Sequence, residues 1–476
     1  MEYEPVIGLE VHVQLNTESK IFCGCSTRFG AEPNSQTCPV CLGLPGVLPV
    51  LNEEVLKKAV LAGLALNARV SGNSKFDRKN YFYPDLPKAY QISQYDRPVC
   101  TGGYLEIMSE SAKKRIGITR LHLEEDAGKS IHADDPSKNI SFVDLNRTGV
   151  PLVEIVSEPD IRSGEEAYQY LQKLKSVLKY IQVSDVNMEE GSLRCDVNIS
   201  LRKKGETQFG QKVEIKNLNS FKAVRSSINY EINRQADMLE SGEKIEQETR
   251  LWDDSSGATF GMRSKEYAHD YRYFPDPDLP PVIISEEYVR KVRETLPELP
   301  DSKLERFIAQ YNLSGYDAGI LTSSRELAAY FEAAVKAGAQ PKKASNWITS
   351  ELLAKIDDTE KISSFPVTPV MLASLLVLID NGTISGKIAK TVFEEMILTQ
   401  KSAEKIVEEK GLKQVTDTAV IESIIDAVIK KNPDTAASFR DGKEKALAFL
   451  VGQVMKESKG KANPRIVNEL LVKKLK

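Results

Sequence analysis

Apolar and polar positions alternate through much of the first 290 residues, and beyond about residue 300 the apolar ones recur at helical spacing. The clearest alternation opens the chain. Across Val6–Leu15, Leu9, Val11, Val13 and Leu15 take one face and Gly8, Glu10, His12 and Gln14 the other, which predicts a strand with one apolar side. Further strands are expected at 103–108, 115–123, 140–146, 150–156 and 212–216. Residues 192–201 alternate as regularly, with Leu193, Cys195, Val197, Ile199 and Leu201 on one face and Arg194, Asp196 and Asn198 on the other. Helices are expected at 53–69, 163–181 and 220–241; Ser163 caps the second and Gly242 stops the third. Residues 75–94 mix basic and aromatic side chains with Pro84 and Pro87, which predicts an irregular surface loop.

After Leu296-Pro297-Glu298-Leu299-Pro300 the texture turns helical, with segments at 301–312, 323–338 and 342–357. A second helical unit starts near 366–370 and is punctuated by Asn381-Gly382, Gly411, Asn432-Pro433 and Asn463-Pro464. The fold class expected is α+β. A mixed, largely antiparallel, β-rich domain spans 1–295, an all-α domain 296–405 and a small all-α tail 406–476.

A length of 476 residues is too great for one core. The net charge of −4 gives no whole-chain bias toward nucleic acid, so any such contact is local. One local bias exists: Ala436–Lys476 holds ten Lys and Arg against four Asp and Glu. No apolar run reaches membrane-spanning length, and the acidic start Met1-Glu2-Tyr3-Glu4 is unlike a secretory or transit segment. Six cysteines in so long a chain fit a reducing compartment, so a cytoplasmic protein with no membrane contact is expected.

Four of those cysteines share one window. Cys23-Gly24-Cys25 and Cys38-Pro39-Val40-Cys41 give two close thiol pairs, the spacing of a knuckle-like tetrathiolate zinc site over 23–41. Four thiolates leave no open coordination position, so the expected role is structural. Cys100 and Cys195 stand alone and read as core. Glu10 and His12 suit a metal or a proton transfer, or equally a hydrogen-bonded pair facing solvent or a second layer. In Glu124-Glu125-Asp126 three adjacent carboxylates repel one another unless a cation or basic groups compensate, and alternation puts Glu125 with Leu121 and Leu123 on the inner face; the cluster reads as a magnesium-type site or as a solvated acidic turn.

Lys79 and Lys88 can hold phosphates as point charges, with Tyr81, Tyr83 and Tyr90 as stacking surfaces, or the loop can be packing material. Arg194, Asp196 and Asn198 form either a recognition surface or a cross-strand charge ladder. Lys456, Lys459 and Lys461 suit a helix C-terminus, and also an RNA backbone. No Walker A, strand-following GxGxxG, HExxH or GxSxG sequence is present, so standard nucleotide-fold and serine-hydrolase chemistry is not advertised.

Several blocks together resemble the GatB/GatE family of tRNA-dependent amidotransferase B subunits. They are Gly8-Leu9-Glu10-Val11-His12, Phe76 to Asp85, Leu123 to Lys129, Glu189 to Asp196, and Asp270-Tyr271-Arg272-Tyr273-Phe274-Pro275. The resemblance runs from Val6 to the C-terminus. It implies a cradle-shaped catalytic domain, a helical domain and a YqeY-like, tRNA-binding tail. It also implies a reaction: ATP phosphorylates the side-chain carboxylate of Glu-tRNA(Gln) or Asp-tRNA(Asn), and ammonia channelled from a glutaminase A subunit displaces the phosphate. A small C subunit completes a heterotrimer. On this resemblance Glu10, His12 and Glu125, with Glu154, surround Mg²⁺, and Lys79, Tyr81, Lys88, Tyr90 and Arg194 face ATP or the aminoacyl end. Zn²⁺ sits on Cys23, Cys25, Cys38 and Cys41, and tRNA on Lys456, Lys459 and Lys461. Without the resemblance the alternatives are a zinc-stabilised RNA-binding scaffold with no catalysis, and a metal-dependent hydrolase that works without ATP.

Overall fold

The computed structural model describes residues 2–110, 112–132, 140–262, 271–414, 418–440, 445–458 and 462–475. The chain divides into two units, Met1–Leu299 and Pro300–Lys476. In the first unit the strands that position the site are β1 (Tyr3–Gln14), β2 (Asp77–Asn80), β3 (Tyr90–Ser93), β4 (Ala112–Glu125), β5 (Pro151–Ser157), β6 (Leu193–Lys203), β7 (Val213–Lys216), β8 (Glu248–Asp253) and β9 (Ala258–Gly261). Three helices accompany them: α1 (Glu53–Ala65), α2 (Gly164–Tyr180) and α3 (Phe221–Glu240).

A ten-stranded sheet runs in the order β9-β8-β7-β6-β1-β5-β4, then Cys100–Thr101 and Arg69–Val70, with Tyr104–Ser109 also paired to β4. Its strand pairs are antiparallel except β7–β8. The alternating N-terminal strand is central, hydrogen-bonded to β6 on one side and β5 on the other. Its Leu9, Val11 and Val13 join Ile199, Ile155, Leu171, Leu174 and Ile228 in one apolar core, so α2 and α3 cover that face. Both helices begin as their sequences predict. The Ser163 hydroxyl accepts from Glu166 N at 3.1 Å and the Ser220 hydroxyl from Ala223 N at 3.0 Å. Helix α1 ends earlier than position 69, because Asn67 is left-handed with φ 59°.

The expected loop at 75–94 is a hairpin. β2 pairs antiparallel with β3, and Phe274–Pro275 adds a third strand. Phe76 and Ile92 are buried in the main core, which anchors both arms. Pro84 and Pro87 sit in the connection, where a missing N–H costs no ladder bond.

One buried carboxylate fastens α3 to the far edge of the sheet. Glu231 is fully buried and accepts from Arg234 Nε and Nη2 at 2.9 Å, from Gln235 Nε2 at 3.0 Å and from the Thr259 hydroxyl. Arg250 Nε lies 3.2 Å away.

The second unit is helical among its described residues and holds two apolar clusters. One gathers Phe307, Phe331, Leu372, Phe393 and Val407; the other gathers Ile421, Ile425, Leu450, Val467 and Leu471. Helix Ala403–Glu409 packs with the first, so the apolar division falls between Leu412 and Ile421, later than position 405. No helix among the described residues is long and apolar enough to cross a membrane.

Removing Glu231 leaves two guanidinium groups short of a buried counter-charge. Glu231→Ala is expected to destabilise the first unit by about 3–5 kcal/mol. Denaturant unfolding followed by Trp252 fluorescence in a Trp347→Phe background measures this, and a change within about 1 kcal/mol would refute the role of the network.

Candidate functional site

Pleat alternation and register build the site. On the face of β1 opposite the core, His12 lies across from Arg194 of β6 and Glu154 of β5, and Glu154 lies across from His122 of β4. Partners in register project to the same side. Four adjacent strands thus contribute one polar row, Arg194–His12–Glu154–His122. Glu124, two residues along from His122, joins from the same face.

His12 Nε2 lies 3.2 Å from Glu154 Oε2 and 3.6 Å from Glu124 Oε1. His122 Nε2 is 3.2 Å from Glu154 Oε2 and 3.8 Å from Glu124 Oε2. Burial opposes the charge of every member. The Glu154 hydrogen bond and the charges of Glu154 and Glu124 nevertheless raise His12 above its ordinary value, and the same two carboxylates raise His122 to about 9. Burial alone would push Glu154 up, but His122 and His12 hold it well below the usual carboxylate range; Glu124 is lowered likewise. Lys79 faces the same charges. Burial works against its ammonium, yet Glu124, with Tyr273, Tyr81 and Glu154, raises it; its Nζ lies 4.9 Å from the Tyr271 ring and 5.8 Å from the Tyr81 ring.

One ligand atom each from His12, Glu124 and Glu154 lies within 4.8 Å of the others, a spacing that fits a single cation. Imidazole with two carboxylates suits a hard or borderline divalent ion and leaves positions open for water or phosphate. Of the expected Mg²⁺ residues, then, the fold brings His12 and Glu154 together, adds Glu124, and sets Glu10 and Glu125 elsewhere. Glu10 shares the face but accepts from Asn198 Nδ2 at 2.8 Å. Glu125 has the opposite parity on β4, beside Leu121 and Leu123, and its carboxylate receives Lys88 Nζ and, at 2.9 Å, the Ile92 N–H. Glu124 and His122 are the residues sequence reasoning missed. Their signal was the parity that placed Glu125 inward, since it necessarily turns Glu124 outward toward His12.

The remaining expected residues sort by neighbourhood. Arg194 Nη2 donates to Asp126 at 2.8 Å, and Arg147 Nε lies 3.6 Å from the same carboxylate. Tyr81 donates to Gln91 Oε1 at 3.3 Å, and Tyr90 stacks under the Arg78 guanidinium at 4.3 Å. Lys88 and Glu125 border a cavity of about 190 Å³ together with Lys20, Cys41, Tyr90 and Gly149. Lys456 is exposed at the end of helix Lys445–Glu457, while Lys459 and Lys461 lie outside the described residues.

The four expected thiols converge: one sulfur from each of Cys23, Cys25, Cys38 and Cys41 lies within 4.8 Å of the rest, and all are free. The Cys38 N–H donates to Cys41 Sγ at 3.2 Å. The Cys23 thiol, donating to Cys41, holds that sulfur down to about 4 against burial, with help from the Cys38 N–H and the Lys20 ammonium. A closed set of four sulfurs with N–H···S bonds fits tetrahedral zinc.

The sequence profile of the GatB/GatE catalytic domain matches residues 5–290, and that of the GatB domain matches residues 329–475. A protein of Caldanaerobacter subterraneus subsp. tengcongensis is 59% identical over 476 residues, covering all of both chains. One of Carboxydothermus hydrogenoformans is 58% identical across all of this chain and 99% of its own length. One of Geobacter sulfurreducens is 58% identical over 478 residues and the full length of both. Each is named as the B subunit of an aspartyl/glutamyl-tRNA(Asn/Gln) amidotransferase.

His12→Ala, Glu124→Gln and Glu154→Gln are expected to weaken Mn²⁺ binding, read by electron paramagnetic resonance, by more than about 100-fold, because even outer-shell changes cost 10–100-fold. Glu125→Gln is expected to leave it unchanged. Binding must release the raised His12 proton, so affinity should fall with falling pH and still be rising above the ordinary imidazole value of about 6.5. Equal losses in the Glu124 and Glu125 variants would refute the assignment.

Proposed function

The chain belongs to the GatB/GatE family, and from that membership we propose how its site residues carry out a tRNA-dependent amidotransferase reaction. The protein acts as the B subunit of an amidotransferase, within a multi-subunit, nucleotide-using enzyme that works on tRNA. In the finer reading its partners are a glutaminase A subunit and a small C subunit, and its substrates are Glu-tRNA(Gln), Asp-tRNA(Asn) or both.

The observation that supports this best is the row Arg194–His12–Glu154–His122 with Glu124 beside it. A free carboxylate is a poor acceptor for ammonia. Transfer of the γ-phosphoryl group of ATP to a carboxylate oxygen supplies a leaving group; ammonia then attacks the carbonyl carbon and phosphate departs. Phosphoryl transfer depends on positioning and charge neutralisation. In this reading His12, Glu124 and Glu154 hold Mg²⁺, which when bound neutralises phosphate oxygens. Lys79 sets a cation opposite Glu124 and Glu154, within reach of the transferring group. Arg194, fixed by Asp126, orients a phosphate or the aminoacyl end from the neighbouring strand. Glu10, held by Asn198, lines the same face. Lys88 and Glu125, with Tyr90, form a separate polar station for the aminoacyl side of the reaction. The four thiols hold structural Zn²⁺. The tail Lys456, with Lys459 and Lys461, meets the tRNA backbone.

ATP hydrolysis by the assembled enzyme with Mg²⁺ tests the reading. Turnover is expected with charged Glu-tRNA(Gln) and not with the uncharged tRNA. Glu124→Ala should abolish it, a loss of at least about 10²-fold, while glutaminase activity in the partner amidase survives. Tight binding of both tRNAs without ATP turnover would favour the scaffold reading instead. In the tail, Lys456, Lys459 and Lys461 changed together to alanine are expected to weaken tRNA binding and to make its salt dependence shallower by about 3 in log–log slope. An unchanged slope would remove these lysines from the interface.

A further inference from the structure

Lys20 is a lysine with no solvent. Its side chain is fully buried. Its ammonium donates to Gln36 O at 2.7 Å and lies 3.7 Å from Cys41 Sγ, and no carboxylate pairs with it among the described residues. The nearby carboxylate of Glu125, which shares its cavity, is already engaged by Lys88 and the Ile92 N–H. A buried ammonium costs several kcal/mol unless an anion faces it, and the group that faces this one is the Cys41 sulfur.

The backbone of the same residue ties the cysteine arms together. Lys20 N donates to Cys25 O at 2.9 Å, in the CxC arm, while its side chain reaches Gln36 O and Cys41, in the CxxC arm. The following residue is pinned as well, Ile21 N donating to Gly149 O at 2.9 Å. The ammonium is thus delivered to the thiol cluster by a braced backbone and has little freedom to leave it.

We propose that Lys20 is the resident counter-charge of the tetrathiolate: a positioning residue that retains the metal by offsetting the net double negative charge of four thiolates around one divalent ion. The inference rests on the zinc reading above. Four thiolates and Zn²⁺ sum to −2, and one ammonium in van der Waals reach of a ligand sulfur halves that charge. Metal and lysine then depend on each other. With zinc, the buried ammonium faces the charge of four thiolates; without zinc it has only the Cys41 sulfur beside it.

The test uses the purified full-length chain and competition for zinc by a chromogenic chelator. Wild type is expected to hold one zinc per chain. Lys20→Met, which keeps the volume and drops the charge, should lose zinc to the chelator with an affinity about 10- to 100-fold weaker, and Lys20→Arg should recover most of the difference. Should Lys20→Met not fold, Lys20→Gln, which keeps a donor for Gln36, makes the same comparison. Thermal melting with and without zinc adds a reading that a purely structural lysine would not move. Zinc should raise the melting temperature of wild type more than that of the charge-free variant. Charge-free variants that hold zinc as tightly as wild type would overturn the proposal, as would an arginine variant that loses zinc equally. A wild-type chain that takes up no zinc would overturn the metal reading itself, and this inference with it.

Discussion

The constraint on which the first unit depends is that its central strand has one buried, apolar face and one half-buried face that is polar. Leu9, Val11 and Val13 seal against α2 and α3; Glu10, His12 and Gln14 face neighbouring strands that are themselves polar on that side. Charged groups there survive by compensating one another. Two imidazoles with raised proton affinity sit against two carboxylates with lowered affinity, and Lys79 and Arg194 add cations at the margin. Such a cluster is expensive as packing alone. It becomes useful if a divalent ion can take the place of the imidazole protons, with the ligands already held on rigid strands.

Part of this was legible in the sequence and part was not, and the boundary is physical. Alternation in Val6–Leu15 and at 192–201 gave strands and faces directly, because a half-buried strand prints its period on the chain. Ser163 announced its helix because a cap bond is local. The thiol quartet was readable because a zinc knuckle closes within nineteen residues. Register, by contrast, is a long-range property. That His12 lies opposite Glu154 and Glu154 opposite His122 depends on pairings more than a hundred residues apart for the first pair; local parity turns Glu124 outward but cannot say which strand it meets. The β2–β3 hairpin was hidden for a different reason: Pro84 and Pro87 dominate the local signal, whereas the strands come from the burial of Phe76 and Ile92 in a distant core.

Glu125 shows what the same strand does one residue later. Turned to the other side of β4, it meets Lys88, and the stem of Lys88 passes over Gly43 so closely that a Cβ there would lie 2.2 Å from Lys88 Cγ. Gly43 also has a left-handed φ of 67°, so both its conformation and its missing side chain are required. It lies two residues beyond Cys41. The turn that closes the thiol cluster is therefore also the surface against which Lys88 is set, and the backbone of that cluster fixes one half of the buried Lys88–Glu125 pair.

The two candidate metal sites differ in the way their tasks require. Four sulfurs, N–H···S bonding and a buried ammonium make a soft, closed shell, suited to an ion that organises a loop and is not exchanged. One imidazole and two carboxylates, among residues whose charges are already nearly balanced, make a harder and incomplete shell, suited to an ion that shares its coordination with a phosphate and is released with it. Ligand softness alone separates them only in part, because imidazole and carboxylate also take zinc. A closed thiolate set favours zinc more strongly, and an open oxygen-rich set suits a hard cation that arrives with a nucleotide. A chain that needs one ion fixed and another exchangeable gains by placing them on opposite chemistries, and the thiol quartet and the His12–Glu124–Glu154 cluster offer that pairing within the first unit.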